Sequence, residues 1–515
     1  MTAEGRAKIS ADQASNESDF GAQPMGTAAA SNHEDAAQEN SPLAALPVCV
    51  DLDGTLVKSD TLADSLCVLA RTHPWDLLQL PGWLFRGKAR LKREVAMRAP
   101  LDVAHLPYNE ALIVYLREQA ASGRPLYLST GADQHLADGV AQHLGLFEGV
   151  FSSDGVTNLT GTEKLRLLES RFGHGGFAYI GNSRKDLPLL RASKTAMLAN
   201  PTPGLHGLLQ RQKIPVLQVF QDRASTLQSV WRALRVHQWA KNVLIFLPLI
   251  LAHTLKVNLL LQSALAFLSF SLVASSTYIV NDVLDLAADR VHPRKRHRPF
   301  AAGDLSVITG ACVALLLFAA GVAISIPMAP RFTSWLLLYC GITLAYSLYL
   351  KRVVIVDLII LSALYTLRIL AGAAAASVPI SDWMAGFSIF FFFSLALVKR
   401  FSELENLRAR GVAPSNGRGY LVHDMEQLRA FGTGSAFASI VVFTLYINNP
   451  EVRNLYHHPQ RLWLLTPLLI WWMSRVWLRA SRGQMHEDPV IFALTDRASL
   501  LAGVAIFLIA LSASI

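Results

Sequence analysis

The stretch Tyr278–Phe300, YIVNDVLDLAADRVHPRKRHRPF, closes a long apolar segment, then carries three aspartates, then five cations in nine residues. At 100° per residue, Asp282, Asp285 and Asp289 fall within about 60° of one helical face, with Asn281 at its edge. Three carboxylates that close repel one another, and at the end of a membrane span they are costly. A bound divalent cation resolves both problems. Carboxylate and amide oxygens suit Mg²⁺, which bridges to the phosphates of a substrate. The HPRKRHRP that follows offers Arg294, Lys295 and Arg298 to further phosphate oxygens.

The rest of the chain supports a membrane setting. Hydrophobic residues make up 52% of the 515 positions and charged residues 17%, too little charge for an ordinary soluble protein. The formal net charge of +9 fits basic loops on one side of a bilayer. Cations interleaved with aromatics are lacking, so nucleic acid is set aside as a partner. Cys49, Cys67, Cys312 and Cys340 are scattered and read as packing residues. Residues 1–45 are rich in Ala, Ser, Asn and Glu, without the apolar core of a signal peptide, and read as a disordered tail.

Three zones follow. Residues 46–203 alternate short apolar runs (LPVCVDLDGT, PLYLSTG, FAYIGNS) with helical stretches, which predicts an α/β fold. Residues 204–242 are amphipathic and basic, a connector at the membrane surface. From Val243 onward, apolar segments long enough to cross a bilayer recur. They are placed at Val243–Val257, Leu260–Val280, Ser306–Met328, Phe332–Leu350, Val354–Ala376, Trp383–Val398, Phe431–Ile447, Leu462–Trp477 and Ala498–Ile515, nine in all. Loops after the second, fourth, sixth and eighth are the basic ones (Arg290 to Arg298; Lys351 and Arg352; Lys399 to Arg410; Arg479 and Arg482). This places those loops and the N-terminal domain in the cytoplasm and the C-terminus outside, in a bacterial cell membrane.

NDVLDLAADRVHPRKRHRP matches the NDxxDxxxD signature and so resembles the UbiA-type intramembrane prenyltransferase superfamily, over about Arg235–Ile515. The resemblance implies nine transmembrane helices and a diphosphate held through Mg²⁺ by Asp282, Asp285 and Asp289. The second motif departs from the common run of spaced aspartates: YLKRVVIVDLIILSALYTLRILAGAAA holds Asp357, then Tyr365 and Arg368. Asp357 and Arg368, near one helical face, read either as a ligand-binding set or as a structural pair. This variant is similar to the decaprenyl-phosphate phosphoribosyltransferase branch, as are RVHQWAKN (with Lys241), ALVKRFSEL (with Lys399, Arg400 and Glu403), GRGY at Gly417–Tyr420 and DPVIFALTDR at Asp488–Arg497. In that branch the diphosphate belongs to phosphoribosyl pyrophosphate and the acceptor is a polyprenyl phosphate. Substrate-binding candidates are therefore Lys241, Asn281, Arg294, Lys295, Arg298, Asp357, Tyr365, Arg368, Lys399, Arg400 and Glu403.

In CVDLDGTLVKSD, Asp51 and Asp53 lie just past an apolar strand, and they resemble the first motif of haloacid dehalogenase-type phosphatases. The resemblance implies an aspartyl-phosphate nucleophile at Asp51 and a general acid/base at Asp53. It matches Thr130 to the phosphate-holding hydroxyl, Lys164 to the charge-offsetting lysine, and Asp51, Asp53 and Asp186 to a Mg²⁺ site. Asn182 stands where that family usually has an acid. Residues 61–123 would form a helical cap. The expectation is a multidomain protein: an α/β Rossmann-like phosphatase domain (46–203), the connector, and an all-α bundle of nine membrane helices (243–515). The expected function is phosphoribosyl transfer to a polyprenyl phosphate, with possible removal of the 5-phosphate. The rival readings are prenyl transfer to an aromatic acceptor and a phosphatase on a non-catalytic membrane anchor.

Overall fold

The protein is described by a computed structural model, covering residues 46–252, 256–409, 419–485 and 489–515. The N-terminal tail, Gly417 and Arg418 of GRGY, and Asp488 lie outside the described residues.

Short apolar runs form six strands: β1 (Val48–Val50), β2 (Leu126–Asp133), β3 (Gly149–Ser153), β4 (Ala178–Gly181), β5 (Thr195–Ala199) and β6 (Val216–Phe220). They make one parallel sheet in the order β3-β2-β1-β4-β5-β6. Apolar clusters cover both of its faces, which is why β1, β4 and β5 are buried along their whole length. Strand order reverses at β1, flanked by β2 and β4. In such sheets ligands bind outside the carboxyl ends of the strands at that point, where Asp51, Asp53 and Asn182 emerge.

The sheet corrects one boundary. Residues 204–242 are not a connector throughout, because Val216–Phe220 pairs with β5. This apolar run occupies a sheet edge that would otherwise present unpaired backbone groups.

Helix α1 (Thr61–Thr72) starts at Asp60, whose carboxylate accepts from Ala63 N at 3.0 Å. Helix α2 (Thr162–Phe172) carries Lys164, and α3 (Thr226–Leu234) leads toward the membrane part. There follow α4 (Val257–Leu284), α5 (Leu286–Val291), α6 (Val307–Ser325), α7 (Pro330–Leu348), α8 (Val356–Ala376), α9 (Asp382–Ala409), α10 (Met425–Asn448), α11 (Leu465–Ser481) and α12 (Arg497–Ser514). Hydroxyls bridge close helices: Ser269 and Ser276 of α4 donate to Gly321 O and Ala314 O of α6, each at 2.7 Å.

Among the described residues, six helices are long and apolar enough to cross a membrane: α4, α6, α8, α9, α10 with its leading turn, and α12. The expected count of nine is thus met by six candidates. Helix α7 is 19 residues long but is diluted by Arg331 and several hydroxyls. Helix α11 has 17 residues and contains Arg475 and Arg479. The first expected span, Val243–Val257, is not one helix. A 3₁₀ segment, Val236–Phe246, precedes the five-residue helix Leu247–Leu251, with Pro248 in its first turn.

That 3₁₀ segment lies directly on α8 at Gly372, where an added Cβ would meet Ile245 O at 2.1 Å. The obstacle is backbone, which cannot swing aside. Gly372→Ala should therefore destabilise the protein by about 1–3 kcal/mol and lower its melting temperature in detergent. Gly341→Ala, with nothing within 4 Å, should leave that temperature unchanged.

Candidate active sites

The last turn of α4 and helix α5 hold the acidic motif. Asp282 and Asp289 are 2% and 3% exposed. Arg298 Nη1 donates to both, at 3.2 Å to Asp282 Oδ1 and 2.6 Å to Asp289 Oδ2. Arg235 Nη2 also grips Asp282, at 2.5 and 2.8 Å. Asp285 turns to Lys351, whose Nζ lies 2.7 and 2.8 Å from its two oxygens, and to Arg71 Nη1 at 2.6 Å. Asn281 is half-buried beside them, Arg294 is exposed and Lys295 half-buried. The N–H groups of Arg294 and Lys295 both donate to His292 Nδ1.

Among the described residues, no three His, Cys, Asp or Glu side chains stand together as a metal cage. The donor chemistry nevertheless fits a hard cation. Asp282 and Asp289 converge on one point, and a guanidinium nitrogen sits there.

A second set lies deeper. Arg368 donates to Asn242 Oδ1 at 2.9 Å and Tyr339 Oη at 3.2 Å. Its guanidinium carbon is 5.5 Å from the Tyr365 ring centroid, and Lys241 Nζ is 5.9 Å from the same ring. Tyr365 stacks on Phe392. Asp357 does not pair with Arg368. The two share a face but stand eleven residues, about 16 Å, apart along the helix axis.

Asp357 instead accepts from Arg400 Nη2 at 2.6 Å and Tyr420 Oη at 2.5 Å. Arg400 also binds Glu403, and Lys399 beside it is half-buried. Asp357 and Arg400 are both dry. Arg400→Gln leaves a buried carboxylate without its charge partner, an expected loss of about 3–5 kcal/mol. Combining it with Asp357→Asn should restore much of that stability in denaturation measurements.

In the soluble part, Lys164 Nζ reaches Asp51 Oδ1 at 2.7 Å and Tyr179 Oη at 3.2 Å. Tyr179 Oη donates to Asp186 Oδ1 at 3.0 Å, and Ser183 N and Oγ donate to Asp186 Oδ2. Asp53 accepts from Thr61 N at 2.8 Å. Thr130 Oγ1 is buried and accepts from Ala132 N. Asn182 lies against the Asp51–Gly54 loop, since a Cβ on Gly54 would be 2.0 Å from its Nδ2.

Burial, only partly offset by Lys164, raises the Asp51 carboxyl to about 6. Burial and the neighbouring Asp60 charge raise Asp53 to about 7. Ionising either group in the folded chain is penalised, so their contribution to stability declines from near pH 4 toward 7. A site with buried Asp51 and Asp186 near one buried lysine has room, electrostatically, for a further cation.

The soluble and membrane parts belong to one compact unit. Arg290 Nη2 donates to Asp64 Oδ2 at 2.7 Å and Ser59 Oγ at 3.0 Å. Gly303, at φ +73°, approaches so closely that a Cβ would meet Lys58 Cβ at 2.7 Å. Helix α1 thus holds Asp53 at its N-terminus, Arg290 through Asp64, and Asp285 at its last turn. The roles of Arg235, Lys351, Arg71, Asp64 and Tyr179 were not read from sequence. Arg235, Lys351, Arg71 and Asp64 each pair with a residue far away in the chain, whereas Tyr179 joins Lys164 to the nearby Asp186. Lys351 and Arg290 were counted only as loop charge.

Residues 243–495 match the model of the UbiA prenyltransferase family. The chain is also 34% identical, over 200 residues, to a decaprenyl-phosphate phosphoribosyltransferase of Mycobacterium tuberculosis, covering 38% of this chain and 66% of that one. Residues 243–495 form a UbiA-family domain. An uncharacterised protein of Sinorhizobium fredii is 38% identical over 461 residues, 89% of each chain, so its similarity reaches beyond the UbiA part into the soluble part. A UbiA homologue from Archaeoglobus fulgidus, solved with GPP and Mg²⁺, covers 55% of this chain and 99% of its own, at 14% identity and a TM-score of 0.43. The UbiA assignment makes this an integral membrane transferase. The sheet in front of it is an α/β addition.

Proposed function

We propose that the membrane part transfers a phosphoribosyl group from phosphoribosyl pyrophosphate to a polyprenyl phosphate, and that the soluble part removes the 5-phosphate from the product. The observation that carries the first step is the set of four cations, Arg235, Arg298, Lys351 and Arg71, around Asp282, Asp285 and Asp289. The donor brings a diphosphate and a separate phosphate, and the acceptor brings a third phosphoryl group. A site this rich in cations suits that load. Asp357 is taken up by Arg400 and Tyr420, which argues against a second acidic diphosphate motif. The name of the mycobacterial relative supports the same donor and acceptor.

In this reading an oxygen of the lipid phosphate attacks C1 of the ribose and pyrophosphate leaves. The nucleophile is already anionic, so no strong base is required. Arg298 and Lys351 neutralise charge developing on the leaving group. Asp282, Asp285 and Asp289 would hold Mg²⁺, which supplies further charge neutralisation.

In the soluble part Asp51 attacks the 5-phosphate, the bond from phosphorus to the ribose 5-oxygen breaks, and Asp53 protonates that oxygen as it leaves. Asp53 then takes a proton from the water that cleaves the aspartyl phosphate. A group near 7 suits both transfers. Lys164 keeps Asp51 anionic, while Asp51, Asp186 and the amide oxygen of Asn182 would hold the second Mg²⁺. Helix α1 touches both sites and spans about 18 Å, a short distance for handing on a tethered lipid product. The soluble part and the basic loops face the cytoplasm in this proposal. The test is to incubate membranes containing the full chain with both substrates and measure inorganic phosphate and pyrophosphate. Equal release of the two supports both steps, and pyrophosphate alone removes the second.

A further inference from the structure

We propose that Arg71, a residue of the soluble part, is a diphosphate-binding residue of the membrane site. The claim rests on the reading above for the organic group of the donor, but not for the diphosphate itself. Arg71 leaves the last turn of α1 and its Nη1 makes two contacts, with Asp285 Oδ1 at 2.6 Å and Leu284 O at 3.3 Å. Nε and Nη2 of the fork make no hydrogen bond among the described residues. Guanidinium edges of this kind take phosphate oxygens in pairs.

Charge balance points the same way. Asp285 accepts from both Lys351 and Arg71, so Arg71 shares its carboxylate with a second cation. Among the described contacts, Arg235, Arg298, Lys351 and Arg71 gather on Asp282, Asp285 and Asp289, a concentration of cations that suits an anionic ligand.

Docking does not depend on Arg71 alone. A drier contact, Arg290–Asp64, with side chains 6% and 1% exposed, joins α1 to the membrane part, and the Gly303 approach to Lys58 lies just before that helix. Arg71 and Asp285 are wetter, at 25% and 19%, as an opening for a soluble ligand requires. A soluble domain that lends a cation to its neighbour's site also makes that neighbour's affinity depend on docking.

The test measures inorganic pyrophosphate binding to the full chain in detergent, at fixed Mg²⁺, by titration calorimetry. Arg71→Gln should weaken binding about tenfold or more, the worth of a charge-assisted hydrogen bond. Arg71→Lys should fall between. Arg90→Gln, in an exposed pair with Glu94, should behave as wild type. An Asp282→Ala chain gives the baseline for pyrophosphate held elsewhere. In transfer assays Arg71→Gln should raise KM for the donor by a similar factor and leave KM for the lipid unchanged.

Unchanged pyrophosphate affinity in Arg71→Gln overturns the proposal, as does a wild type that binds none above the baseline. Lost binding together with a large fall in the ligand-free melting temperature would reassign Arg71 to docking and overturn it too. If pyrophosphate binds through Arg71 but phosphoribosyl pyrophosphate is not a donor, the proposed function fails and this inference stands.

Discussion

Asp282→Ala and Asp289→Ala each lower transfer by about a hundredfold or more, measured as labelled ribose entering lipid. Both carboxylates are buried and both bind Arg298 Nη1. Removing either would delete a ligand of the proposed cation and also free Arg298 from the position it holds. Part of the loss is therefore misplacement of the cation that meets the leaving group. Asp282→Asn separates these effects, because it keeps the size and one oxygen while losing the charge. It should retain more stability than Asp282→Ala and almost as little activity. Asp285→Ala should also impair transfer, since Lys351 loses the carboxylate that fixes its ammonium. Near-normal transfer by all three alanine variants, at unchanged melting temperature, contradicts the assignment of this cluster.

The second large effect is in the soluble part. On the proposed reading Asp51→Asn removes the nucleophile while nearly conserving volume, so phosphate release should fall to background. Pyrophosphate release should continue, and lipid-linked ribose 5-phosphate should accumulate in place of lipid-linked ribose. Lys164 loses its 2.7 Å partner but keeps Tyr179, whose hydroxyl links it to Asp186. Mass analysis of the extracted lipid checks the result. The same phosphorylated lipid from wild type and variant at saturating Mg²⁺ would show that Asn182 has weakened the metal site beyond use. The bifunctional reading would then be lost and the transferase reading kept.

Local spacing made the two acidic motifs visible, and the structure brings only part of each expected set together. Asp282 and Asp289 do meet, at Arg298, but Asp285 stands at the break between α4 and α5 and turns to Lys351 and Arg71 instead, so the single helical face expected for all three does not form. Apolar runs place α4, α6, α7, α8, α11 and α12 to within a few residues, but α9 and α10 extend well beyond theirs, where charged residues continue the helix past the apolar stretch. The 236–251 segment was misread because its shape depends on Gly372, more than a hundred residues on. The strand β6 was missed because its alternation is short and its partner is β5. The partners of the carboxylates were not legible at all. Arg235 with Asp282, Arg71 with Asp285 and Tyr420 with Asp357 are long-range pairs, and one sequence carries no periodicity that joins them. The helical face shared by Asp357 and Arg368 misled for the opposite reason, because angular agreement ignores rise along the axis.

The most direct measurement incubates membranes bearing the full chain with ribose-labelled phosphoribosyl pyrophosphate, a polyprenyl phosphate and Mg²⁺, then extracts the lipid. The account predicts label in the lipid phase that depends on the polyprenyl phosphate and disappears in Asp282→Ala. Label that stays entirely in the aqueous phase, while a polyprenyl diphosphate is consumed by the same membranes, would contradict it.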